Sequence, residues 1–160
     1  MDDFKLKEVK VTDPGKLKEQ LKELFSTQPL AALSTYGNGQ PYCNLVAFAS
    51  SDDLSRLIFA TTRETRKYTN IKGGSQVSLL IDNRSNQASD FREALAVTVI
   101  GRSEEVMAQG KEEFLKVYLG KHPNLKDFVM SPTCALMIVE VDTYFIASHF
   151  QHVMVLSMKE

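Results

Sequence analysis

A chain of 160 residues suits a single domain, residues 1–160, and one of roughly this length hides about 70% of its unfolded surface. Apolar residues make up 43% and charged residues 24%, both ordinary for a soluble globular protein, and a net charge of −1 excludes a general binder of nucleic acid. No apolar stretch approaches membrane-spanning length, and the polar start Met1-Asp2-Asp3-Phe4-Lys5 lacks the apolar core of a secretory signal. The expectation is a cytoplasmic protein with no membrane partner. Cys43 and Cys134 lie in apolar, strand-like surroundings and read as reduced, buried thiols rather than a disulfide.

Along the chain, Asp13 can cap a helix with Pro14 at its first position. Leu17, Leu21, Leu24 and Phe25 continue it as an amphipathic stripe that Gln28-Pro29 stops. Residues 30–35 form a short apolar run, Gly37-Asn38-Gly39 supplies a tight turn, and residues 42–49 read as the return strand. Ser51-Asp52-Asp53 turns the chain into a third strand at 56–60. A short helix over 63–72 ends at Gly73-Gly74, and 77–81 is a compact strand. A polar loop follows at 82–87. Residues 95–100 are rich in β-branched side chains, and Gly101 bends or ends that strand. Met107, Phe114, Leu115 and Tyr118 trace a helix face closed by Gly120. Residues 123–130 add a further helical turn or two, 134–141 a long strand, and 144–158 more strand-like sequence. Hairpins dominate the first part, so the sheet is largely antiparallel. The architecture expected is mainly β with α: a six- to seven-stranded antiparallel split β-barrel with flanking helices.

The junction between the third strand and its helix concentrates chemistry. Thr61 and Glu64 have capping-box spacing, and Arg66 and Lys67 fall in the helix that follows. Two cations with hydroxyl donors match a phosphate, which calls for a planar fork plus a point charge. The same residues also suit a capped surface helix with solvated charges. His149 and His152 are three apart and on a strand face opposite ways, so they share a metal only across a bend; no metal site is expected. His122 reads as a solvated loop residue. No Ser-His-Asp or paired-carboxylate arrangement is defined, so no catalytic residue is assigned.

In order and spacing these motifs resemble the pyridoxamine 5′-phosphate oxidase-like proteins, the FMN-binding split-barrel superfamily. The resemblance covers roughly residues 15–145. It implies a homodimer with FMN in a groove between the chains. Thr61, Thr62, Thr65, Arg66 and Lys67 would hold the FMN phosphate, and Asn44, Leu45, Val46 and Ala47 would lie along the flavin ring. The loop after the strand at 77–81 would approach the ring, with Asn83 and Gln87 offering amide donors and acceptors. Departures are specific. The true oxidases carry an Arg and a Lys in the second strand, where residues 44–49 hold no cation. Ala96 replaces an expected glutamine, Trp is absent, and the C-terminal Arg has no match. The vitamin B6 substrate site is therefore not matched. The implied function is an FMN-dependent oxidoreductase passing electrons between a reductant such as NAD(P)H and a small acceptor. The alternatives are flavin or haem binding without turnover, for storage or sensing, or use of the deazaflavin F420.

Overall fold

The computed structural model describes residues 9–10, 13–149 and 152–159. The polar start at residues 1–5 lies outside them. A two-residue strand, β1 (Val9–Lys10), precedes α1 (Pro14–Thr27), which Asp13 caps by accepting from the Lys16 amide. Then follow β2 (Leu30–Gly37), β3 (Gln40–Ser50), β4 (Arg56–Thr62), α2 (Arg66–Gly73), β5 (Gln76–Asp82) and α3 (Asp90–Glu93). The chain continues through β6 (Ala96–Glu105), α4 (Lys111–Lys121), a 3-10 turn at Pro123–Leu125, α5 (Lys126–Val129), β7 (Cys134–Ser148) and β8 (His152–Ser157).

Six strands, β2 to β7, close an antiparallel barrel in the order β7-β4-β3-β2-β5-β6, with β6 returning to β7. β8 is the seventh antiparallel strand, and β1 pairs parallel to it. The split-barrel expectation is met. β7 closes the fold because it is long enough to take three partners: β4 and then β8 on one edge, β6 on the other. β6 runs past Gly101 instead of ending there. A Cβ at that glycine would strike the Glu140 carbonyl, at the point where the β6–β7 register shifts.

The interior is one apolar cluster in which Phe48 and Phe59 are fully buried and Phe25 of α1 meets the Phe48 ring edge-on, centroids 5.5 Å apart. A second cluster lies under α4 and includes Tyr118, Leu136 and Ile138. Lys121 ties the helices together. Its ammonium donates to the Phe25 and Gln28 carbonyls at 2.7 and 2.8 Å and sits 3.8 Å from the centroid of Phe48, while burial pulls its pKa down to about 8. The α4 helix runs on to Lys121, one residue past the expected Gly120 cap. Two further expectations are corrected. His122 is buried, not solvated, with Nε2 2.7 Å from the Phe48 carbonyl. Cys43 is exposed while Cys134 is buried, because an edge-like stretch of β3 leaves its outward positions uncovered.

The β3–β4 turn holds a buried leucine in the left-handed region, Leu54 at φ 63. The Tyr144 hydroxyl clamps it, donating to the Leu54 carbonyl at 2.6 Å. Asp53 orders the same turn through one carboxylate oxygen that accepts from the Ser55 hydroxyl and amide and the Ser51 hydroxyl at 2.7, 3.0 and 2.8 Å. Those bonds hold its pKa down at about 2, against an ordinary value of 3.8. A depressed carboxyl stabilises the fold above its unfolded pKa and loses that contribution as pH falls through its folded pKa. Stability therefore declines from about pH 4 towards 2, and Asp53→Asn flattens this acid limb in denaturant titrations run across that window.

Candidate functional site

The seam between β3 and β4 is short. β2 pairs with β3 over the whole of Gln40 to Ala47, but β3 pairs with β4 only through Phe48, Ala49 and Ser50. The far edge of β3 upstream of Phe48 therefore carries unpaired backbone groups that face a slit. The other wall is the end of β4 and the first turn of α2.

That wall is built by a turn that differs from the expected cap. The helix starts at Arg66, not Arg63, and its N-cap is Thr65, whose hydroxyl accepts from the Tyr68 amide at 3.4 Å. Glu64 is exposed and closes no capping box. Arg63 is drawn away from the helix by Glu105, with Nε and a terminal nitrogen 2.8 and 2.7 Å from one carboxylate oxygen, and by the Pro132 carbonyl at 2.9 Å. Tyr68 donates to the other Glu105 oxygen at 3.3 Å. Arg63 is thus neutralised in place, and the turn is fastened to the end of β6.

Arg66 and Lys67 stand in the first turn of α2, not its second. Among the described residues neither forms an ion pair. Burial lowers the pKa of Lys67, and no partner among the described residues offsets that cost. The first amides of α2 lack intrahelical acceptors, and the helix dipole adds positive potential there. Unpaired cations at a positive helix end are unfavourable unless an anion joins them. The threonines divide. Thr65 donates to the Thr62 carbonyl at 3.0 Å and lies 2.8 Å from the Thr61 hydroxyl, so Thr61 and Thr65 shape the turn. Thr62 is half-buried at the rim of the turn.

Period-two alternation sorts the β3 residues. Asn44 and Val46 share the inward face with Phe48, whereas Leu45 and Ala47 face outward, Leu45 being 65% exposed. Among the described residues the Asn44 Oδ1 atom is buried without a hydrogen-bond partner. A buried amide oxygen without a partner is costly and calls for a ligand donor or a water. α2 itself is seated on the β2–β3 hairpin: Asn70 donates to the Thr35 hydroxyl at 3.1 Å, and any Cβ at Gly37 would fall on the Asn70 side chain.

Asn83 and Gln87 lie at the opposite end of β5 from α2, a strand of seven residues that spans roughly 20 Å. One chain does not bring them to the α2 corner. Asn83 accepts from the Leu95 amide at 2.7 Å, and Asp90 gathers the amides of Ser85, Asn86 and Gln87, so the loop is internally ordered. Among the described residues no cluster of three or more metal-ligating side chains occurs. His149 occupies the turn after β7 and His152 opens β8, while residues 150–151 lie outside the described residues. Sequence reasoning missed two participants. Glu105 carries no local signal; Tyr42, whose ring centroid lies 5.4 Å from the Arg66 guanidinium carbon, has the same strand parity as Asn44, and that could have found it.

No helix among the described residues is long and apolar enough to cross a membrane. No curated protein matches the chain. Solved structures share its fold. General stress protein 26 from Bacillus anthracis superposes with a TM-score of 0.66 at 23% identity, covering 89% of this chain and 98% of that one. A heme binding protein from Mycobacterium smegmatis gives 0.78 at 13% identity over 92% of this chain, which spans 60% of that protein. A FAD-binding protein from Mesorhizobium loti gives 0.61 at 19% identity, covering 80% and 90%. At these identities the likeness is one of fold. The sequence profile of pyridoxamine 5′-phosphate oxidase matches residues 17–146, which is most of the chain, and the protein belongs to that family.

Proposed function

We propose that this protein is a homodimeric, FMN-binding oxidoreductase that passes electrons between a reductant such as NAD(P)H and a small acceptor. The observation that carries the reading is the unpaired Arg66–Lys67 pair at the start of α2, beside a slit whose other wall holds an orphaned Asn44 amide oxygen. A phosphate monoester bears close to two negative charges at neutral pH and matches the two cations. In this reading Arg66, Lys67 and Thr62 hold the phosphate, with Thr61 and Thr65 fixing the turn. Asn44 and the open edge of β3 offer hydrogen bonds to the flavin's polar rim. FMN supplies the redox chemistry when bound, so the protein provides binding, orientation and exclusion of water.

The second chain covers the outer face of β2, β3, β5 and β6. Leu45, Leu30, Leu80 and Ile100 stand there 65, 48, 38 and 38% exposed, and register places Ala32 between Leu45 and Leu80. Contiguous apolar surface of this kind marks an interface. Dimerisation is also what would bring Asn83 and Gln87 of one chain towards the ring held by the other.

The visible spectrum tests the reading. The protein purifies yellow or takes up FMN, and the flavin band bleaches on adding NAD(P)H. A colourless protein with no FMN affinity defeats it. The fold is shared with a heme binding protein, which supports a second reading: binding without turnover. Bound FMN that no nicotinamide reduces favours that reading, and a Soret band favours haem.

A further inference from the structure

We infer that Tyr42 is a positioning residue for the phosphate site: its ring holds the Arg66 guanidinium across the slit, where the anion needs it. The inference rests on the FMN reading above. Arg66 is exposed, carries no carboxylate partner among the described residues, and has a long side chain whose rotamer freedom must be lost on binding. Its guanidinium carbon lies 5.4 Å from the centroid of the Tyr42 ring. Tyr42 lies on β3, the wall opposite α2, with the strand parity of Asn44 and Val46.

The two walls are thereby joined at both ends of one link. Thr35, the cross-strand partner of Tyr42, accepts from Asn70 of α2, while Tyr42 itself receives Arg66 from the first turn of that helix. A guanidinium resting on a ring keeps its five donors at the edge and free for oxygen acceptors. Tyr42 therefore pre-organises the fork without itself touching the phosphate, and the ordering cost of the arginine is met before the ligand arrives.

Riboflavin, which is FMN without its phosphate, separates this role from a merely structural one. Dissociation constants for both flavins are measured for the wild-type protein, Tyr42→Phe and Tyr42→Leu. The wild type prefers FMN, and Tyr42→Phe keeps that preference because the ring face remains. Tyr42→Leu narrows the FMN-to-riboflavin ratio roughly three- to thirty-fold with riboflavin affinity unchanged. An unchanged ratio in Tyr42→Leu, or equal loss of both flavins, overturns the inference and leaves the phosphate site standing. Wild-type indifference to the phosphate removes the site and the inference together. Should the leucine variant fail to fold, Tyr42→Gln is measured in its place and carries the same expectation.

Discussion

Replacing Arg66 and Lys67 together by alanine lowers FMN affinity about tens- to thousands-fold and leaves the fold intact. Each charge-assisted contact to a phosphate contributes about 1.5–3 kcal/mol, and exposure of Arg66 places the sum towards the lower end. Stability changes little, because loss of the Tyr42–Arg66 ring contact opposes the relief of repulsion at the helix end. Neither side chain has an ion-pair partner among the described residues, and both stand at the helix end where positive charge is disfavoured by about 0.3–1 kcal/mol per group. The double variant thus melts near the wild-type temperature without ligand, and gains far less on adding FMN. Equilibrium titration of the two proteins with FMN, with apo melting curves alongside, reads both quantities. A double variant that binds FMN as tightly as the wild type shows that the phosphate is held elsewhere.

Phe48→Ala destabilises the fold by about 3–5 kcal/mol, the range for removing a fully buried phenylalanine ring. Phe48 is the residue at which β3 rejoins β4, paired with Phe59, so it closes the lower end of the slit. Its ring has no exposure, meets Phe25 edge-on and lies beneath the Lys121 ammonium, and its carbonyl faces His122. Alanine keeps the backbone contacts and loses the rest. A domain of this size has a total stability of about 5–15 kcal/mol, so the melting temperature falls by roughly 6–20 °C. Leu45→Ala is the control three positions upstream on the opposite face, 65% exposed, and it changes the folding of the single chain by less than about 0.5 kcal/mol. Denaturant titration at low protein concentration gives both values. A Phe48→Ala cost under about 1 kcal/mol contradicts the packing described here.

The barrel was legible in the sequence because its hairpins are local. Gly37-Asn38-Gly39 and Ser51-Asp52-Asp53 set the turns, and Asn38 and Gly39 indeed carry positive φ. The strand-to-helix corner was legible for the same reason. The helix start was not. Thr61 and Glu64 had the right spacing, but Arg63 is held by Glu105 and Pro132, 42 and 69 residues away, and that tether hands the cap to Thr65. Local pattern cannot report so distant a partner. Cys43 and His122 went astray in opposite directions for one reason. An apolar strand does not reveal which neighbour it lacks, and a histidine before proline does not reveal the carbonyl of β3 it packs against. The Tyr42–Arg66 contact crosses a gap between elements and has no signature along the chain.

In the proposed function a phosphate monoester docks where β4 hands over to α2. A crystal structure grown with excess FMN tests it most directly. Density for the phosphate is expected at the first turn of α2, within hydrogen-bond distance of Arg66 and Lys67, with the ring entering the slit beside Asn44. An empty corner at saturating FMN, or flavin bound with its phosphate directed into solvent, contradicts it.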